Sequence, residues 1–280
     1  MSRLWQSPVR IVRRYPLLAF VALACLFGWS IWIWNLLRGA GGGGNLPLGP
    51  IVATLIVVSC QGRDELRAWA RQLRTWRAPL GWYLLALLAP IGLHMLIVAA
   101  NHGFGAPLPT AEQLSVWWQV PVMFLVLLIL IGVGEEAGWT AFAAPILLRR
   151  HGLLVAWLLA SAMRILWHLP VMLSGDLPWL LGTVGNAAFT MLTLQLLVGS
   201  GGRWVLAALW HAMLNATGSA FFFTMVSGPD RDRLSLLLTV VYCVVAVIAC
   251  VLGRRIRPAV GSRRTDEGGA HDDRRETAHV

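Results

Sequence analysis

Two acids, Glu135 and Glu136, stand side by side in GVGEEAGWTAF, residues 132–142, within one of the most apolar segments of the chain. An ionisable group inside a membrane span costs about 2.5–3.5 kcal/mol on insertion scales, so such residues mark functional or structural polar sites. Two later apolar segments carry the same kind of residue: Arg164 with His168, and His211 with Asn215. Neighbouring residues on a helix point about 100° apart, which gives Glu135 and Glu136 different tasks. One can face a wet cavity with the histidines and take a proton from water. The other can pair with a cation and hold its helix in place. His211 and Asn215 are four residues apart, so they stack on one helical face. Together they can donate hydrogen bonds to an oxyanion formed as water adds to a carbonyl. Either alone reads equally as a helix–helix hydrogen-bonding residue. His168 lies two residues before Pro170, which can open the helix; the imidazole would share the activated water or satisfy a backbone carbonyl. A buried ionic network that only orients helices is the competing reading of the acids.

These groups need a scaffold, and the composition says which kind. The chain has 280 residues, 57% hydrophobic and 13% charged, with a mean hydropathy of +0.66, too apolar for an ordinary soluble domain. Apolar runs long enough to span a membrane lie near 16–37, 46–61, 80–100, 115–142, 153–173, 178–198, 204–226 and 234–253. The expected architecture is all-α, a polytopic membrane helix bundle with about eight transmembrane helices. The polar residues fall in the fourth, fifth and seventh. The first run follows arginines but has about 20 residues and no clear cleavage site, so it is an uncleaved span. At 1.5 Å per residue, Glu135 stands about 21 Å from Arg149, His168 about 27 Å from Arg150 and His211 about 12 Å from Arg203. Straight, upright helices would not bring them together, whereas tilted or unequal ones would.

Charge sets the orientation. Every basic residue apart from histidine is arginine, and seventeen arginines gather on one side of the expected topology against Arg38, Arg231 and Arg233 on the other. By the positive-inside rule this places both termini in the cytoplasm. The net charge of +10 fits anionic lipid headgroups better than nucleic acid. Between the second and third spans, Leu66, Trp69, Leu73 and Trp76 follow helical spacing while Arg63, Arg67, Arg71 and Arg74 share another face. An interfacial amphipathic helix on the inner membrane surface is expected there. Residues 39–44 are a glycine-rich outer loop, residues 1–256 form the membrane domain, and residues 257–280 form a disordered tail, too polar to bury a core. Cys25, Cys60, Cys243 and Cys250 lack metal-ligand spacing, and no disulfide is expected.

The motifs resemble the CPBP family of intramembrane glutamic endopeptidases, which includes CAAX prenyl endopeptidases and bacterial proteins related to bacteriocin self-immunity. Glu135-Glu136-Ala137-Gly138-Trp139 is similar to the family's E-E-x-G-W, Leu166-Trp167-His168-Leu169-Pro170 to its L-W-H-L-P, and His211 with Asn215 to its H-x-x-x-N. The likeness extends over roughly residues 45–226. It implies hydrolysis of a peptide bond without a metal or other cofactor: Glu135 and His168 would activate the water, His211 and Asn215 would bind the oxyanion, and Glu136 would support the site. Two positions depart from the pattern, Thr140 in place of an arginine and Arg164 in place of a phenylalanine. Arg164 would then supply, from the neighbouring helix, the cation that Glu136 has lost. The implied partners are a peptide or membrane-protein substrate and the lipid bilayer, in the cytoplasmic membrane.

A non-catalytic membrane scaffold or immunity-type binding protein would keep the same pocket without chemistry, because Arg164 lies one turn from His168. Histidines and carboxylates can also hold zinc, but no H-E-x-x-H is present. A proton-relaying carrier lacks repeated halves or paired broken helices.

Overall fold

The computed structural model describes residues 3–40 and 44–261, with side chains described from Pro8 to Gly253 outside that gap, and among these residues every regular element is helical. In chain order they are α1 (Arg3–Arg14), α2 (Pro16–Gly28), α3 (Ser30–Leu37), α4 (Gly49–Gln61), α5 (Arg63–Leu73), α6 (Leu80–Gly103), α7 (Ala111–Ser115), α8 (Gln119–Arg150), α9 (Leu153–Trp167), α10 (Leu169–Leu173), α11 (Leu181–Gly199), α12 (Trp204–Thr217) and α13 (Gly228–Gly261). Five helices, α6, α8, α11, α12 with its extension to Met225, and α13, are long and apolar enough to cross a membrane. The protein is therefore a multi-pass membrane protein.

The remaining expected spans are broken or short. At Tyr15 the chain bends by 115° between α1 and α2, since Pro16 cannot continue the preceding helix; counting the bent pair as one span brings the number to six. The run expected over 16–37 is divided at Trp29 into α2 and α3. Helix α4 has 13 residues, about 20 Å, against a hydrocarbon thickness of about 30 Å. The run 153–173 is divided at His168, which ends α9 and starts α10, with Pro170 in its first turn. Of the expected disordered tail, residues 257–261 continue α13, and the rest lies outside the described residues, as do residues 41–43 of the glycine-rich loop.

Two apolar clusters build the interior. One joins Phe20, Val57, Trp69, Trp139, Phe142, Trp167 and Trp204; the other joins Ile97, Phe189, Leu206, Trp210, Leu234 and Tyr242. Helices α11 and α12 are mostly buried, whereas α6, α8 and α13 turn most of their surface outward, as helices in contact with lipid would. The two ends of the bundle are tied separately. At the arginine-rich end, Arg13 Nε donates to Cys60 O (2.8 Å), Gln72 Nε2 to Gly202 O (2.9 Å), Trp204 Nε1 to Leu73 O (3.1 Å) and Arg203 Nε to Arg77 O (3.0 Å). At the far end, Asn101 Nδ2 donates to Asp230 O (3.0 Å), Arg233 Nε to Asn101 Oδ1 (2.7 Å) and Gln113 Nε2 to Met225 O (3.2 Å).

Helix α5 occupies the segment expected to be interfacial. Its arginines at 63, 67 and 71 are exposed, but its apolar face is covered by protein: Trp69 is buried and its Nε1 donates to Ala137 O (3.1 Å). The helix closes the arginine-rich end of the bundle directly beneath the paired glutamates.

Candidate functional site

Glycines let α8 approach its neighbours where the acids sit. A Cβ at Gly134 would stand 2.9 Å from Pro47 O, one at Gly138 2.8 Å from Pro50 O, and one at Gly132 2.8 Å from Ala208 O. Each is closer than a real Cβ contact allows, so α8 is pressed against the segment 47–50 on one side and α12 on the other. The helix is not uniform there. Its backbone widens into π-turns over Leu128–Val133 and Trp139–Ala143, on either side of the Gly134–Gly138 stretch that carries both acids. Such turns recur at functional sites, because the extra residue re-aims the side chains beyond it.

Glu136 is fully buried and saturated with donors. Arg164 Nη2 on α9 donates to its Oε2 (2.6 Å), Thr140 Oγ1 one turn along α8 donates to the same oxygen, and His211 Nδ1 on α12 lies 2.8 Å from Oε1. Thus Arg164 reaches the carboxylate from the neighbouring helix, and Thr140 adds a hydroxyl. The guanidinium is further held between aromatic rings, with its carbon 5.5 Å from the Trp139 centroid and 5.4 Å from that of Phe189. Its Nη1 is buried with no hydrogen-bond partner.

Glu135 is also buried, at 4% exposure, and its Oε2 has no partner. It lies within electrostatic reach of His211, Arg164 and Glu136. With both glutamates ionised and His211 protonated, these four side chains sum to zero charge. A neutral total is what burial of four ionisable groups requires.

A cavity of about 530 Å³ opens beside this cluster. Arg164, His168, His211 and Asn215 line its deep part, with Asn186 and Phe189; Asp176, Ser219, Arg231 and Asp232 line its mouth. The sequence places Glu135 in the wet cavity with the histidines. In the structure the wall is formed by Arg164 and the two imidazoles, and neither glutamate belongs to it. The reason is the packing of α8: the glycines that admit it to the interior also place Glu135 and Glu136 among buried residues on all sides.

The histidines have assignable tautomers. His168 Nδ1 lies 2.8 Å from Arg164 O and therefore donates to it; the Asn186 amide nitrogen drawn 3.0 Å from the same Nδ1 must be exchanged with its oxygen to accept. Nε2 of His168 is then the acceptor left for a ligand. His211 spends Nδ1 on Glu136, leaving its Nε2 as well. Asn215 donates Nδ2 to His211 O (3.1 Å), and Ser219 Oγ approaches its Oδ1 (3.2 Å).

Three lining or supporting residues escaped the sequence reading. His94, in α6, is buried with Nδ1 2.9 Å from Pro90 O and from Thr217 Oγ1, and it lines the cavity. Its position within LAPIGLHMLIV is as conspicuous as that of His211. Asn186 follows a π-turn over Leu181–Gly185, and only its polarity within an apolar run marked it. Thr140 was noticed for what it replaces rather than for the hydroxyl it brings.

Residues 117–217, about a third of the chain, match the family described as type II CAAX prenyl endopeptidase Rce1-like. The matched stretch contains all of the polar residues gathered at the floor of the cavity. No curated protein matches the chain.

Proposed function

From a chain whose residues 117–217 place it with the CAAX proteases, a family of peptidases, we propose that the protein is an intramembrane endopeptidase that hydrolyses peptide bonds by a metal-independent, glutamate- and histidine-assisted attack of water. The observation that supports it most is the junction of three helices at one carboxylate: Glu136 from α8, Arg164 from α9 and His211 from α12, at the floor of a cavity that His168 and Asn215 also line.

In this reading a water held at His168 Nε2 gives up a proton as its oxygen adds to the substrate carbonyl carbon. The carbonyl oxygen becomes an anion that accepts from protonated His211 Nε2 and from the amide of Asn215. Arg164 Nη1, still without a partner, is a further donor within the same wall. When the C–N bond breaks, the proton moves to the leaving nitrogen, giving a carboxylic acid and an amine. Glu136 fixes the ring of His211 much as a buried carboxylate orients a catalytic imidazole elsewhere. Glu135 is the carboxylate with an oxygen unspent, and with His168 it activates the water; because it stands outside the wall, the proton reaches it through a bridging water. The membrane supplies a site where hydrogen bonds act in low dielectric. The orientation that fits the arginines has both termini in the cytoplasm, in the cytoplasmic membrane.

The position of Glu135 outside the wall favours one second reading, a membrane scaffold that keeps the pocket and does no chemistry. Purified protein incubated with membrane peptides in the presence of a chelator separates the two. Proteolysis predicts turnover unaffected by the chelator and lowered at least about a hundredfold in Glu135→Ala, the range of a lost acid–base group. Equal turnover by both proteins, or none by either, leaves the scaffold.

A further inference from the structure

The cavity has one direction of approach. Its deep end, at Arg164, Phe189, His211 and Tyr242, is buried, and beyond that floor lies the first apolar cluster with Trp69, Ala137, Trp139 and Trp204. Helix α5 seals this end through the bond from Trp69 to Ala137 O, one residue past Glu136, and through that from Trp204 to Leu73 O. The mouth lies at the opposite end: Asp176, Ser219, Arg231 and Asp232 are exposed and belong to the α10–α11 connection, the segment after α12, and the first turn of α13. Asn101, Asp230 and Arg233 tie that same end together.

One face of α13 runs the length of the cavity, carrying Arg231, Ser235, Leu238 and Tyr242 at helical spacing. Eleven residues at 1.5 Å each make this wall about 16 Å long, a depth that about five residues of extended polypeptide would fill. The rim offers both signs of charge, while the walls alternate apolar and polar side chains. A polypeptide entering here would be polar where it crosses the rim and extended where it meets the histidines.

The geometry points to a substrate class: an extended polypeptide segment presented at the arginine-poor, extracytoplasmic face of the membrane, which enters the cavity between Asp176 and Arg231, while the cytoplasmic side is closed by α5. The inference rests on the hydrolytic reading above and adds to it the side from which substrate comes.

Two measurements on the full chain in intact cells test it. Asp176→Cys and Arg150→Cys variants are treated with a membrane-impermeant maleimide, and the labelled peptides are identified by mass, which sets the native cysteines apart. Asp176→Cys is expected to label in intact cells and Arg150→Cys only after permeabilisation. A need for permeabilisation at Asp176→Cys, or labelling of Arg150→Cys without it, overturns the assignment. In the second measurement a single-span reporter carries an unstructured stretch of about ten residues on one side or the other of the membrane. Cleavage of the outer version by the wild-type protein and not by Glu135→Ala supports the inference. Glu135-dependent cleavage of the inner version overturns it. Cleavage of neither, with Asp176→Cys labelled from outside, removes the hydrolytic reading and the substrate with it, while the direction of the mouth stands.

Discussion

At the scale of single residues, the charge network around Glu136 decides whether the site exists. Arg164 is 2% exposed and Glu136 0%, so neither can exchange its partner for water. Removing the cation leaves a buried carboxylate with one hydroxyl and one imidazole, and breaking a buried pair in this way costs about 3–5 kcal/mol. Arg164→Phe is therefore expected to unfold at markedly lower temperature in detergent and to lose activity. The double variant Arg164→Phe with Thr140→Arg returns a cation to the carboxylate from one turn along α8, and recovery of both stability and activity is the expected result. If the double variant melts no higher than Arg164→Phe alone, the cation's role is not the neutralisation of Glu136. Thr140→Val tests the hydroxyl separately: loss of one hydrogen bond to a charged group should lower stability by about 1.5–3 kcal/mol, read as a smaller shift in the same melting curves. The pairing of Glu136 with Arg164 could be read from sequence because two departures from one motif, the missing cation at position 140 and the extra one at 164, have opposite sign. The role of His94 could not, since nothing in its neighbours distinguishes a cavity histidine from one that bonds a backbone carbonyl, and here it does both.

At the scale of elements, close approach of α8 to its neighbours is the feature most open to test. Gly138 faces Pro50 and Gly132 faces the Ala208 carbonyl, both backbone or ring atoms that cannot rotate away. Gly138→Ala and Gly132→Ala should each destabilise by about 1–3 kcal/mol through overpacking. Gly92→Ala on α6, with open space around it, should be neutral or slightly stabilising. Thermal denaturation in one detergent compares the three; a Gly138→Ala protein as stable as Gly92→Ala would show that α8 can shift without loss. Sequence patterning located most of the helices, since apolar runs of about 20 residues have few alternatives in lipid. It could not locate their interruptions. Composition gives no hint that 16–37 divides at Trp29, and although Pro170 marks a break near His168, it does not say that the freed geometry is held by Trp29 Nε1 and Asn45 Nδ2 donating to Trp167 O at 2.9 and 2.7 Å. Those breaks, with the short α4, answer the depth problem: helices of unequal length and start bring Glu136 and His211 to contact.

At the scale of the whole molecule, the arginine-rich end and the open end are built by different means. The first is closed by an amphipathic helix whose tryptophan reaches the backbone beside the glutamates; the second is rimmed by charged side chains and short connections. The spacing of Leu66, Trp69 and Leu73 foretold the helix but not its partner, because an apolar stripe reads the same whether lipid or protein covers it. Trp69→Ala is expected to remove a large buried side chain and destabilise by about 3–5 kcal/mol. It should also open the floor, so that a cysteine in place of Ala137 becomes reactive toward maleimide from the arginine-rich side. Unchanged protection of that cysteine would mean that other residues form the seal.

The wide turns flanking the acids carry a consequence of their own. Each π-turn accommodates one residue more than a regular helix would, so removing a single residue from Leu128–Val133 restores ordinary winding and swings everything after it by about 100°. Glu135 would then take the bearing that Glu136 now holds, and the arginine on α9 would meet the wrong acid. Along this stretch the number of residues matters as much as their identity, and a one-codon deletion could silence the protein while leaving every motif intact.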